Sequence, residues 1–208
     1  MQIRINLQIF LFAIVFLLTH QIKIYGLIMI FGLIHELGHM VAGILLKLKP
    51  KSLSFMPFGV SITFETYEYK KLVEKKKILI AIAGPLTNLA ICIITYFLHI
   101  DDRIKELIEY SNILIALFNL IPIYPLDGGR ILKGLLRLKY EEIKADEIII
   151  KISNIILIIM TALSSIVILY LKNIAILFIL IYLWAITINE NKKYSLKKMT
   201  YEIIKGTR

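Results

Sequence analysis

The sequence predicts an all-α polytopic membrane protein, with about six transmembrane helices and a short membrane-associated β-hairpin. Three observations carry the prediction. The 208 residues are 58% hydrophobic and 19% charged, whereas a soluble domain is about half apolar and roughly a quarter charged. The apolar residues come in runs long enough to cross a bilayer. The lysines and arginines flank those runs, as topology signals do.

The candidate spans are 5–20, 25–46, 78–99, 111–127, 148–171 and 173–190. The first lacks a small-residue cleavage site and runs straight into the second, so it reads as a retained helix rather than a cleaved signal peptide. Residues 1–190 then form one six-span domain, and 191–208 a basic cytoplasmic tail. Six spans place 21 of the 25 Lys and Arg on the side of both termini and 4, Lys23, Arg103, Lys105 and Lys172, on the other. The positive-inside rule puts both termini in the cytoplasm. The net charge of +10 is thereby a membrane-orientation signal, and no nucleic-acid partner is expected. The tail after Asn189 reads as a solvated topology signal in preference to a lipid-surface helix. Cys92 is the single cysteine, which excludes an intrachain disulfide and a thiolate zinc cluster.

Loop two has its own pattern. Ser52-Leu53-Ser54-Phe55 and Val60-Ser61-Ile62-Thr63-Phe64-Glu65 alternate polar and apolar residues around Met56-Pro57-Phe58-Gly59, which predicts a hairpin. Its edge offers a place for an extended peptide. The apolar runs are rich in isoleucine, but in lipid the backbone must satisfy its own hydrogen bonds, so helix wins over propensity. Loop three, about 99–110, is short and of mixed charge. Gly32, Gly38, Gly43 and Gly84 are expected to let neighbouring helices approach closely.

The second span carries His35-Glu36-Leu37-Gly38-His39. On a helix the two imidazoles lie one turn apart on one face and can converge on one Zn²⁺. Glu36 is poorly placed to be a ligand and well placed to take a proton from a water that the metal has activated. A random arrangement of this composition would contain H-E-x-x-H with probability roughly 0.004. Two histidines merely buried in helix packing would leave a mid-membrane glutamate without purpose.

Catalytic zinc usually takes three protein ligands. His20 and His99 lie at span ends and read as interfacial residues. Asp127 is the better candidate, in Asn119-Leu-Ile-Pro122-Ile-Tyr-Pro125-Leu-Asp127-Gly128-Gly129 at the end of the fourth span. Two prolines break the helix there, and irregular backbone at membrane depth belongs where it lines a cavity. An Asp-Gly turn at a helix end explains the same residues equally well.

His35-Glu-Leu-Gly-His39 followed by Asn119…Pro125-Leu-Asp127-Gly128 resembles the site-2 protease family of intramembrane zinc metalloproteases. Ala83-Gly84-Pro85-Leu86-Thr87-Asn88 resembles that family's third signature, so the likeness spans about residues 25–137. It implies that Asp127 is the third zinc ligand and that Asn119 lies at the active site, contacting substrate or the oxyanion. It leaves the roles of Gly84, Pro85, Asn88 and Pro125 open. The compact layout is most like the sporulation branch. That likeness implies a membrane-associated protein substrate such as the pro-sequence of a sigma factor, inhibitory membrane-protein partners, and a place in the mother-cell membrane around the forespore. Members of that branch usually carry a C-terminal CBS domain; this sequence ends at Arg208 without one. A metal transporter or sensor built on the same His, Glu and Asp residues is the alternative, less favoured because it gives Glu36 no role as a base.

Overall fold

The computed structural model describes residues 2–56, 59–171 and 175–206. They form two compact units, Met1–Leu120 and Ile121–Arg208. The first unit runs β1 (Gln2–Ile5), α1 (Gln8–Leu18), α2 (Ile22–Leu45), β2 (Pro50–Met56), β3 (Gly59–Phe64), α3 (Thr66–Lys71), α4 (Glu74–Phe97) and α5 (Asp102–Asn119). The second runs α6 (Asp127–Arg137), α7 (Glu142–Leu171) and α8 (Ala175–Gly206).

The helical membrane-type fold and the hairpin are as expected; the count of six spans is not confirmed among the described residues. Among the described residues, three helices are long and apolar enough to cross a bilayer, at Ile22–Leu45, Glu74–Phe97 and Glu142–Tyr170. α1 has 11 residues, about 16 Å of helix against a hydrocarbon core of about 30 Å. The chain before it is strand, not span. α5 has 18 residues but carries Asp102, Arg103, Lys105, Glu106 and Glu109 in its first half. α8 continues through the basic tail to Gly206. Lys172, Arg208 and the Pro57-Phe58 turn lie outside the described residues.

Two boundaries near the second motif also move. Most of the predicted third loop is helix, because Asp101 caps α5: its Oδ1 accepts from the N–H groups of Arg103 at 3.0 Å and Ile104 at 3.3 Å, satisfying donors that a helix start leaves open. The predicted span 111–127 ends early, at Asn119, in a non-helical stretch holding Pro122 and Pro125. Asp127 is therefore the first residue of a new helix, α6, and not the last residue of a span.

The hairpin pairs antiparallel with Leu53 opposite Ile62 and Phe55 opposite Val60, and β1 adds to β2 in parallel, giving the order β1-β2-β3. Its buried face explains its position. Leu48, Ile62 and Phe64 share a core with Ile80 of α4, flanked by Met40 and Ala42 of α2. The glycine expectation is half right. Gly38 faces Thr87 and Ala83 of α4, but Gly32 and Gly43 face Gly59 and the Phe64 ring, so they admit the hairpin rather than a helix.

In the second unit, Asp146 of α7 is buried and gathers cations from both neighbours. Arg137 Nη2 of α6 donates to its two oxygens at 2.8 and 3.1 Å. Lys197 Nζ of α8 donates at 2.5 Å, and Lys133 Nζ stands 3.2 Å away. Glu142 joins Arg137 and Lys197 at 2.9 and 2.6 Å. Removing one partner of a buried pair costs more than the pair itself contributes, because charges are left unmatched. Asp146→Ala is expected to destabilise the second unit by about 3 kcal/mol, the low end for buried pairs since the cations are partly solvated. Unfolding of the detergent-solubilised protein measures this; a loss under about 0.5 kcal/mol would class the network with surface ion pairs.

Candidate metal centre

α2 presents His35 and His39 one turn apart, both 3% exposed. Their rings meet nearly edge to face, with centroids 4.9 Å apart and an interplanar angle of 82°. Each Nδ1 is engaged. His39 Nδ1 lies 2.7 Å from the Ile80 carbonyl, which can only accept, so that nitrogen carries the proton. His35 Nδ1 lies 2.5 Å from Asn88 Oδ1, and Asn88 Nδ2 in turn donates to Asn112 Oδ1 at 2.8 Å. With both Nδ1 atoms as donors, both Nε2 atoms turn lone pairs into the same space.

Those two Nε2 atoms are 3.2 Å apart. Facing lone pairs at that distance repel, so the arrangement suits a proton or a cation shared between them. Zn–N bonds of about 2.0–2.1 Å at tetrahedral angles separate two nitrogens by about 3.3–3.4 Å. The observed separation fits a shared zinc ligand pair, and the outer partners are the kind that orient ligating histidines.

Gly84 keeps that space clear. A Cβ built there would lie 2.5 Å from His35 Nε2 and closer still to His39 Nε2. Any side chain at position 84 would fill the volume a metal needs. The next residue, Pro85, is buried within α4. It removes the N–H that would otherwise bond the Ala81 carbonyl and loosens the helix at this turn, one residue past the carbonyl that holds His39.

Glu36, half-buried, points to the hairpin. Its Oε2 accepts from the Ile62 N–H at 3.0 Å, and β3 is one of the two edge strands of the sheet. Asn119 closes α5, its amide donating to the Ile115 carbonyl at 3.0 Å. In the second unit, Asp127 is 4% exposed and opens α6, where the helix dipole favours a carboxylate; Arg130 Nη1 is 3.7 Å from its Oδ1. Pro125 follows a cis peptide bond in the preceding turn, and Tyr124 N–H there donates to Ser153 Oγ at 3.0 Å.

The first unit thus brings together His35, His39, Gly84 and Asn88, with Glu36 on the same helix. Sequence reasoning missed Asn112, the Ile80 carbonyl and the Ile62 N–H. The backbone groups leave no trace in residue type. Asn112 does: it is an amide in the apolar half of α5, and polar residues at such depth usually have a specific partner.

The chain is 30% identical over 136 residues to stage IV sporulation protein FB of Bacillus subtilis, covering 64% of this chain and 46% of that protein. It is 28% identical over 144 residues to a zinc metalloprotease of Methanocaldococcus jannaschii, covering 66% of this chain and 41% of that one. The chain thus spans less than half the length of these curated relatives. The fold is that of the solved site-2 protease from Methanocaldococcus jannaschii, with a TM-score of 0.68 and 24% identity over 90% of this chain and 89% of the other. The profile of peptidase family M50 matches residues 24–101 and 102–160, which takes in the paired imidazoles, the glycine that clears their space and the acidic start of α6: the chain belongs to peptidase family M50.

Proposed function

We propose that this chain is a zinc-dependent intramembrane endopeptidase that hydrolyses a peptide bond of a membrane-associated protein. The observation that carries the reading is the 3.2 Å pair of Nε2 atoms with both Nδ1 atoms engaged as donors. His35 and His39 hold the metal and Asp127 completes the set; the family resemblance and the buried carboxylate opening α6 support that role. Bound zinc would acidify a water towards neutrality and polarise the scissile carbonyl.

Glu36 then takes the proton from the attacking water and hands it to the leaving nitrogen. Its hydrogen bond to the Ile62 N–H holds the carboxylate in one orientation before substrate arrives. Asn119 contacts the substrate or the developing oxyanion. A peptide bond inside a helix is shielded by its own fold, so the substrate must be extended near the site, and the hairpin edge offers backbone groups for that. The excess of Lys and Arg in the segments that flank the apolar runs supports a cytoplasmic side for those segments, and entry of water from that side. Likeness to the sporulation protein points to a sigma-factor pro-sequence as substrate, inhibitory membrane-protein partners, and the mother-cell membrane around the forespore.

The test is cleavage of a membrane-tethered pro-sigma-factor fragment by the purified protein. Cleavage is expected to fall to background with a zinc chelator and to return when Zn²⁺ is restored. Zinc flux into proteoliposomes without any cleavage would overturn the protease reading in favour of transport.

A further inference from the structure

His39 and His35 are held by unlike devices. The partner of His39 Nδ1 is a backbone carbonyl, whose acceptor character no substitution changes. The partner of His35 Nδ1 is a side-chain amide, which offers a carbonyl on one face and an NH₂ on the other, and could present the wrong one. Asn88 therefore needs something that fixes which way it faces.

Asn112 supplies it. Its Nδ2 donates to the Ile108 carbonyl, one turn back on α5, at 2.8 Å. That carbonyl can only accept, so Asn112 must turn its NH₂ towards it and its Oδ1 the other way. Asn112 Oδ1 then accepts from Asn88 Nδ2 at 2.8 Å, which turns Asn88 Oδ1 to His35 Nδ1 at 2.5 Å. Both asparagines are fully buried, at 0% exposure, where a reversed amide would set donor against donor with no water to relieve it. The polarity thus runs in one direction from a main-chain acceptor on α5, through α4, to the tautomer of a histidine on α2.

We infer that Asn112, which does not itself reach the metal, is a positioning residue that fixes the orientation of Asn88 and through it the metal-binding tautomer of His35. The inference rests on the zinc reading above. Loss of an outer-shell partner of a ligating histidine lowers metal affinity about 10–100-fold, and Asn112→Leu is expected to fall in that range.

A purely structural role for Asn112 predicts a different response to a second substitution. A carboxylate at position 88 has no donor face, so Asn88→Asp accepts from His35 Nδ1 whatever stands at position 112. The double variant Asn88→Asp/Asn112→Leu should recover zinc affinity to within a few-fold of the parent, although two buried sites are altered. Zinc affinity of the full chain in detergent, read by competition with a chromogenic chelator, decides the matter without reference to activity. An unchanged affinity in Asn112→Leu, or a double variant no better than the single, overturns the inference. If Asn112→Leu does not fold, recovery of both folding and zinc binding in the double variant supports the inference, and its failure overturns it. A parent chain that binds no zinc, or binds it equally well as His35→Ala, would instead overturn the zinc reading itself.

Discussion

Glu36→Gln is expected to lower cleavage by about 10²–10⁴-fold, the range a positioned general base contributes, while zinc content stays at the parent level. The substitution keeps the side chain's length and its acceptor oxygen. The bond from the Ile62 N–H at 3.0 Å can therefore persist, and β3 should stay against α2. What the amide lacks is the capacity to take a proton. Zinc is held by other residues in the proposed set, so metal analysis and cleavage should separate cleanly. The measurement is cleavage rate together with zinc stoichiometry on the same preparation. Cleavage within a few-fold of the parent would remove Glu36 from the role of base; loss of the metal along with activity would show that it does more than move a proton.

Gly84→Ala should abolish metal binding without touching a ligand. The added methyl carbon would sit 2.5 Å from His35 Nε2 and nearer to His39 Nε2, well inside van der Waals contact and in the volume towards which both lone pairs point. The neighbour that must give way is not the flexible end of a long side chain. It is a pair of imidazoles pinned from behind by the Ile80 carbonyl and Asn88. Zinc affinity is expected to fall on the order of 100-fold or more, beyond the loss from an outer-shell partner. The clash costs about 1–3 kcal/mol of overpacking, offset in part by the roughly 1 kcal/mol that alanine gains as the better helix former. A variant that still folds, somewhat less stable than the parent, yet has lost its zinc is therefore the expected result. Parent-like zinc affinity would show that the α4 backbone does not border the metal.

The two histidines and the glutamate were legible because their relation is local. An i, i+4 pair on a helix shares a face wherever the helix goes, and a helix was dictated once lipid excluded other ways of satisfying the backbone. The hairpin was legible for a similar reason: a period of two over four residues on one side of turn-forming residues and six on the other leaves little else for the chain to do. The count of six spans is not confirmed among the described residues, because apolarity alone does not set helix ends. Asp101 started α5 early through a cap, Pro122 and Pro125 stopped it from reaching Asp127, and α1 proved too short to cross. Hydropathy smooths over such single residues.

The sequence by itself pointed to the family, to the His35/His39 spacing proposed to bind metal and to Glu36 as the proposed base, each of which depends on residues close together in the chain. Only the tertiary structure decided how those groups are made ready. Gly84 clears the metal's space, Ile80 holds His39, Ile62 steadies Glu36, and Asn112 orients Asn88. His35 and Asn88 are 53 residues apart, and Glu36 and Ile62 are 26 apart. No local periodicity encodes such pairs. They exist because the hairpin core of Leu48, Ile62, Phe64 and Ile80 and the close approach of α2 to α4 at Gly38 and Gly84 bring the backbones near enough for single hydrogen bonds to choose a tautomer.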